Sequence, residues 1–151
     1  MSGPATEPLA FVERALARSR RNLHEAMSDF PMARSAEKPG GEAKSFDDIL
    51  RHVVHCDLWF MECADIAHED APGQGEDIDA ASGQALVRLA EDLREYVVGT
   101  IRACSADDLM TPMAPGKAYG YPSLVDLWLY AAEHEFWHAG QIQALALLYA
   151  G

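Results

Sequence analysis

A chain of 151 residues of which 49% are hydrophobic has the size and composition of one globular domain with a buried core. Its 24 acidic and 12 basic residues give a formal net charge of −12, which disfavours nucleic acids and anionic membrane surfaces as partners. It contains no run of about 18 apolar residues and begins without the basic and apolar segments of a signal peptide. We therefore expect no membrane span and a cytoplasmic location.

The sequence contains three cysteines, Cys56, Cys63 and Cys104, and none of them belongs to a C-x-x-C pair. All three fall in segments that we predict to be helical. Cys56 and Cys63 are about 10 Å apart by helical rise, which is too far for a disulfide. We therefore predict free thiols that pack as small hydrophobic side chains in a reducing compartment.

Four segments have the hydrophobic periodicity of helices, and together they predict a single domain over residues 1–151. These predicted helices span about residues 8–27, 45–67, 80–103 and 123–149. Loops rich in Gly and Pro separate them. The second and the fourth open with the S-x-x-D pattern of a capping box, at Ser45 and Ser123. No alternating strand pattern of useful length occurs, so we predict an all-α fold, a four-helix bundle.

The predicted loops are long for a bundle in which each helix simply reverses the direction of the one before it. The second loop covers residues 68–79. At about 3.3 Å per residue it could span roughly 40 Å, which is enough to cross the length of the bundle. We therefore expect a crossover there, with the second and third helices parallel.

Two histidines of the fourth predicted helix, His134 and His138, are one helical turn apart. At this spacing the Cβ atoms lie about 5–6 Å apart, so two imidazoles can reach one metal ion. At about 100° per residue both fall within the apolar stripe of the helix, where an imidazole without a partner would be costly. The alternative is a pair of core histidines that are satisfied structurally. We predict metal ligation, because a pair at this spacing in the middle of an apolar face is seldom incidental.

A tetrahedral or open metal site needs a third protein ligand. His52 lies about 60° from the centre of the apolar stripe of the second helix, whereas His55 lies about 120° away. We therefore predict His52 as the third ligand and keep His55 as the alternative. His24 and His68 lie near helix ends, where we expect them to be solvated or bonded to terminal carbonyls.

The segment from His134 to His138 fits two general metal motifs only in part. Its H-E-x-x-H pattern is that of zinc metalloproteases, in which the Glu is the general base. The residues after His138 include no further ligand, however, and no sheet is predicted to hold a peptide. Glu135-x-x-His138 is also half of a di-iron carboxylate site, but the second half is missing. We reject the first hypothesis, and the second is weak.

A third resemblance covers most of the chain. His52 followed by Trp59, and H-E-x-x-H-x-G-Q from His134 to Gln141, resemble the motifs of the DinB/YfiT-like superfamily. The helix count, the long loops and the placement of both motifs agree with it. The resemblance implies an up-down-down-up four-helix bundle, often a homodimer. It also implies that His52, His134 and His138 are the metal ligands.

The same resemblance implies a metal-dependent enzyme, since several members use a low-molecular-weight thiol such as bacillithiol, mycothiol or glutathione. We expect a thiol-dependent S-transferase or a hydrolase acting on a small molecule. Its divalent cation would be Zn, Ni, Fe or Co, and would polarise a carbonyl or lower the pKa of a water or thiol. The alternative is a non-enzymatic dimeric bundle that binds a metal or a small ligand. Ala139 departs from the family pattern, which often has a basic residue there.

Four further residues are candidates for roles around the predicted metal ion. Gln141 lies on the face of the histidines and could hold a water or orient His138, or it could bond across the bundle. Glu135, about 100° further round the helix than the preceding histidine, could accept a hydrogen bond from an imidazole or be a solvated carboxylate. Tyr119 and Tyr121 precede the fourth helix and could line a pocket or cap the packing.

Overall fold

The computed structural model describes residues 7–113 and 121–151. Within these two ranges the protein is all-helical, and a single bridge between Pro112 and Ser123 is its only β-type pairing. The helices are α1 (Glu7–Ser28), α2 (Phe46–Cys63), α3 (Gly83–Ala103), α4 (Ala106–Met110) and α5 (Leu124–Ala150). Two single turns of 3-10 helix lie at Met32–Arg34 and Ile78–Ala80. The predicted all-α class is confirmed, and α1, α2, α3 and α5 are the four helices expected.

The structure differs from the predicted helices in one boundary and in one additional short helix. Helix α2 ends at Cys63 rather than near Ala67, because Asp65 has a φ of 58°. A residue in this left-handed conformation cannot continue a right-handed helix. The third predicted loop also contains a short helix, α4, which opens with a capping box between Ser105 and Asp108. The S-x-x-D signal was present there, but five residues are too few to show a helical period.

Contacts between α2 and α3 give their relative direction. Asp47, at the start of α2, accepts a hydrogen bond of 2.8 Å from the N–H of Gly83 at the start of α3. Further along both helices, Arg94 of α3 donates to Asp57 of α2 at 2.9 Å. The two helices are therefore parallel, and the chain between them crosses the length of the bundle, as the loop length predicted.

Helix α5 runs parallel to α1. Near the middle of α1, the hydroxyl of Ser19 donates to Glu135 of α5 at 2.8 Å. Just past the end of α1, the ring of Phe30 packs against Tyr149 near the end of α5, with 5.9 Å between centroids. Residues later in α1 therefore contact residues later in α5, as parallel helices require.

Helix α5 runs antiparallel to α2. The rings of His52 and His138 are 4.8 Å apart, while Phe60, further along α2, lies 6.4 Å from Trp128 at the beginning of α5. Residues later in α2 thus contact residues earlier in α5. Together with the other pairs, this makes the order up, down, down, up, as the resemblance implied.

One hydrophobic core runs through the bundle and receives side chains from all five helices. Its largest fully buried members are Leu16, Leu23, Phe46, Leu50, Phe60, Met61, Leu86, Leu93, Ile101, Leu109, Leu127 and Trp128. The predicted stripes are therefore the faces that pack inward. In the part of the chain that is described, no helix is both long and apolar enough to cross a bilayer.

Candidate metal centre

Three histidine rings meet between α2 and α5. His52 projects from α2, and His134 and His138 project from α5 one turn apart. The ring centroids are 5.3 Å apart for His52 and His134, 4.8 Å for His52 and His138, and 4.3 Å for the α5 pair. The antiparallel packing of the two helices thus brings together the three residues predicted as ligands.

The α5 pair has the donor spacing that one cation requires. The Nε2 atoms of His134 and His138 are 3.1 Å apart. Two nitrogens that each lie about 2.0–2.1 Å from one tetrahedral ion would be separated by about 3.3 Å. These two imidazoles therefore fit a shared ion with a shift of only about 0.2 Å.

Gln141 fixes which nitrogen of His138 is available. Nδ1 of His138 lies 2.8 Å from Oε1 of Gln141. An amide oxygen only accepts hydrogen bonds, so Nδ1 carries the proton and Nε2 keeps its lone pair. That lone pair is on the side of His134. Gln141 therefore occupies the orienting position that the sequence suggested for it.

Burial and neighbouring imidazoles keep the rings of His134 and His52 neutral. Burial, followed by the nearby His138 and His52, lowers the pKa of His134 to about 4. Partial burial, followed by His138, also lowers the pKa of His52, although part of this residue is exposed to solvent. Both rings are therefore uncharged at pH 7 and each has a lone pair that can bind a cation.

Cys56 is a fourth donor that we did not predict. Its Sγ lies 3.4 Å from Nε2 of His52, and the donor atoms of His52, Cys56 and His134 all lie within 4.8 Å of one another. The thiol is half-buried and forms no disulfide. Burial, followed by the charge of Asp57, raises its pKa to about 11. The sequence did contain a signal, since His52 and Cys56 have the same i, i+4 spacing as the α5 histidines.

The remaining histidines lie outside this cluster. His55, the alternative third ligand, is exposed and lies 3.4 Å from Asp79. His24 is exposed beside Glu91, and Nδ1 of His68 is 2.8 Å from the carbonyl of a nearby residue, as expected for positions near helix ends. His52 is therefore the α2 histidine that faces the pair on α5.

The family follows from the sequence match. The model of the DinB superfamily matches residues 15–142, which include every residue of the cluster. The chain belongs to the DinB superfamily. No curated protein and no solved structure matched it. The family and the fold of this DinB-superfamily protein therefore agree with the resemblance seen in its motifs.

Glu135 has neither of the positions predicted for it. Its side chain is only 2% exposed, and its hydrogen bonds come from Ser19, Arg20 and Arg94. The shortest, from Arg20, is 2.7 Å. Glu135 is thus neither a solvated carboxylate nor, in these contacts, an acceptor for an imidazole. It is the centre of a buried ion-pair network in this DinB-superfamily bundle.

The network joins all four long helices at the level of the histidine cluster. Asp57 of α2 completes it by bonding to Arg94 and lying 3.5 Å from Arg20. Asp57 directly follows Cys56, and Glu135 directly follows His134. The ion pairs therefore fix the rotation and height of both helices that carry the candidate ligands.

Aromatic rings surround the imidazoles in this DinB-superfamily protein. Tyr130 stacks on His134 at 5.8 Å, and Tyr121 packs on Tyr130 at 4.9 Å. Trp137 lies nearly parallel to His138 at 6.1 Å and is 68% exposed. The ring of Tyr130 therefore lies between Tyr121 and His134. Tyr119 lies outside the described residues.

Proposed function

We propose that this DinB-superfamily protein is a divalent-metal-dependent enzyme that acts on a small molecule, by thiol-dependent S-transfer or by hydrolysis. One observation carries the proposal: three imidazoles from two helices meet with 4.3–5.3 Å between ring centroids. Two of them, His134 and His52, are held neutral by their surroundings. Imidazoles that meet in this way can bind one cation together through their ring nitrogens.

The residues present fit a borderline-soft divalent cation. His52, His134 and His138 would hold it, and a donor set of imidazoles suits Zn, Ni, Fe or Co. When bound, such a cation acts as a Lewis acid that polarises a carbonyl or lowers the pKa of a water or thiol. The protein's own contribution is to orient the ligands, through Gln141 at His138 and through the ion pairs of Glu135.

The surroundings of the rings favour a small substrate with an apolar part. The side chain of His52 is exposed, so the cluster is open to solvent on the α2 side. The rings of Tyr130 and Trp137 flank the two histidines of α5. Flat aromatic surfaces beside a polar centre are the common pattern of small-molecule sites.

A non-enzymatic binding module is the second candidate, and a specific observation favours it. Asp57 and Glu135, the two carboxylates that follow Cys56 and His134, are both bonded to arginines. Neither is free to accept a proton from a substrate. If the reaction needs a side-chain base, neither of these two carboxylates supplies it.

Metal content tests the proposal. We expect about one divalent ion per chain in the wild type and a loss of most of it in His52→Ala and His138→Ala. His55→Ala is the matched control, because His55 is exposed on the same helix but bonded to Asp79 instead. Elemental analysis after exhaustive dialysis is the measurement. Retention of the ion by His138→Ala would overturn the three-histidine site.

Activity separates the two candidates. The metal-loaded protein would be incubated with glutathione, bacillithiol or mycothiol and a panel of electrophiles and esters. Metal-dependent product formation that is lost in His138→Ala supports the enzyme. Metal binding in which no thiol or electrophile is turned over supports the binding module instead.

A further inference from the structure

The candidate metal centre is built from two matching pairs of side chains. On α5, His134 and His138 are one turn apart. On α2, His52 and Cys56 are one turn apart. Each pair projects two donor atoms from one helix toward the other helix. The cluster thus offers four donors rather than the three that the histidines alone supply.

The donor spacing within each pair fits a single tetrahedral ion. A nitrogen at about 2.05 Å and a sulfur at about 2.3 Å from such an ion would be about 3.6 Å apart, and two nitrogens about 3.3 Å apart. The distance from Sγ of Cys56 to Nε2 of His52 is 3.4 Å, and the distance between the Nε2 atoms of His134 and His138 is 3.1 Å. Both pairs are thus within about 0.2 Å of the required spacing.

Three of the four donor atoms also lie close enough to act on one ion, and Nε2 of His138 adjoins that of His134 at 3.1 Å. The donor atoms of His52, Cys56 and His134 lie within 4.8 Å of one another. An inward movement of roughly 1 Å would bring them to tetrahedral spacing. Asp57 and Glu135, the next residues along each helix, tie α2 and α5 to the same two arginines. These ion pairs therefore already hold the two donor pairs opposite each other.

We propose that Cys56 is the fourth protein ligand of the cation, so that the bound ion has a His₃Cys donor set. The inference rests on the proposed function, because it needs the three-histidine site. On binding, the Cys56 S–H bond breaks, its proton goes to solvent, and the sulfur binds as a thiolate without any change of oxidation state. A thiolate donor favours Zn, Co or Cu over Mn or Mg.

A four-ligand site is closed, and this narrows the class of molecule that can enter it. A small thiol can replace Cys56 sulfur for sulfur, with its proton passing to the departing thiolate, so the charge of the site is unchanged. Among the four donor residues, His52 has the exposed side chain, and it is the neighbour of Cys56. The α2 side is therefore where such a thiol would approach.

Cobalt spectroscopy tests the inference on the full-length protein. We expect Co²⁺-loaded wild type to show an intense near-ultraviolet band from thiolate-to-cobalt charge transfer. Cys56→Ser would lose this band while retaining cobalt, with affinity lower by at least about tenfold. Cys104→Ser is the matched control, since Cys104 is half-buried at the end of α3 and bonds to a backbone carbonyl there.

Alkylation of the wild type gives a second measurement that does not depend on how a variant folds. Peptide mapping after iodoacetamide treatment reports each thiol separately. We expect zinc to slow modification of Cys56 at least about tenfold and to leave Cys104 unaffected. Equal labelling of Cys56 with and without zinc would overturn the inference.

The cobalt spectra also distinguish a missing Cys56 ligand from a missing metal site. Full cobalt occupancy with identical spectra in wild type and Cys56→Ser would leave the three-histidine site standing and remove Cys56 from it. Absence of cobalt from the wild type itself would remove the site and the inference together.

Discussion

Gln141 contacts the candidate metal centre through the hydrogen bond that Nδ1 of His138 donates to its Oε1 at 2.8 Å. Partners of this kind fix the tautomer and direction of a ligating imidazole, and removing one typically costs 10–100-fold in metal affinity. We therefore expect Gln141→Ala to weaken zinc binding by about 10–100-fold. Because Gln141 is exposed, the melting temperature of the metal-free variant should match the wild type.

Competition with a chromophoric zinc chelator measures this affinity. Gln143→Ala is the control, since Gln143 is exposed on the same helix two residues further on and is not the partner of His138. If Gln141→Ala competes for zinc as well as Gln143→Ala does, the orienting role of Gln141 is wrong.

For individual residues, the sequence was sufficient to predict that the three histidines meet, but not that Cys56 joins them. His134 and His138 could be found because their spacing and their apolar face are local properties of one helix. Cys56 was assigned to packing, since a cysteine in an apolar stripe is usually a small buried hydrophobe. Only the approach of α5 makes its sulfur part of a donor cluster, and that approach is a tertiary fact.

The four long helices are tied together by the buried network of two arginines and two carboxylates. Removing one partner from such a network leaves an uncompensated buried charge, at a cost of about 3–5 kcal/mol. Glu135 is bonded to both Arg20 and Arg94. We therefore expect Glu135→Gln to lower the free energy of unfolding by about 3–5 kcal/mol in urea titrations of the metal-free protein.

A more exposed ion pair, between two of these helices, provides the comparison. Glu13 of α1 pairs with Arg102 of α3, whose side chain is largely solvated. Glu13→Gln should cost less than about 1 kcal/mol, because exposed ion pairs contribute little. If the two variants lost the same stability, the ion-pair network would not be what holds the helices in register.

The positions of the helices were largely predictable, whereas the network was not. Periodicity and capping boxes are local signals, and both Ser45 and Ser123 do cap the helices that they were predicted to start. Arg20 and Arg94 fall at core positions of their helices, yet sequence alone does not say which carboxylates meet them. Pairing across four helices is decided by the tertiary arrangement, so the sequence offered an imidazole or solvent as the partner of Glu135 and missed the two arginines.

At the scale of the molecule, α5 has apolar residues outside as well as inside. Its buried face packs in the core, yet Trp137, Leu147 and Leu148 are 68%, 77% and 64% exposed. Phe136 continues this outer surface toward Phe11 of α1, which is 51% exposed. Several large apolar side chains of α5 are therefore exposed, and exposed apolar side chains that are grouped on one element are a feature of interaction surfaces.

The charges beside this surface favour a second copy of the chain as its partner. Arg14, Arg18 and Arg21 are exposed on α1, and Arg18 lies over the ring of Phe136 at 6.0 Å. The exposed carboxylate of Glu133 on α5 lines the same groove as these arginines, so a contact between the same face of two copies can pair it with an arginine of the partner. We propose a homodimer through the outer faces of α1 and α5.

Light scattering after gel filtration tests the homodimer. A charge placed in the centre of an apolar interface is desolvated without a partner, so Leu147→Glu should raise the dimer dissociation constant by at least about tenfold. Met110→Glu is the control, since Met110 is also exposed, at 56%, but belongs to α4 rather than to α1 or α5. A wild type that elutes and scatters as a monomer at high micromolar concentration would contradict the proposal. So would a Leu147→Glu variant that stays as dimeric as Met110→Glu, because the contact would then lie on another face.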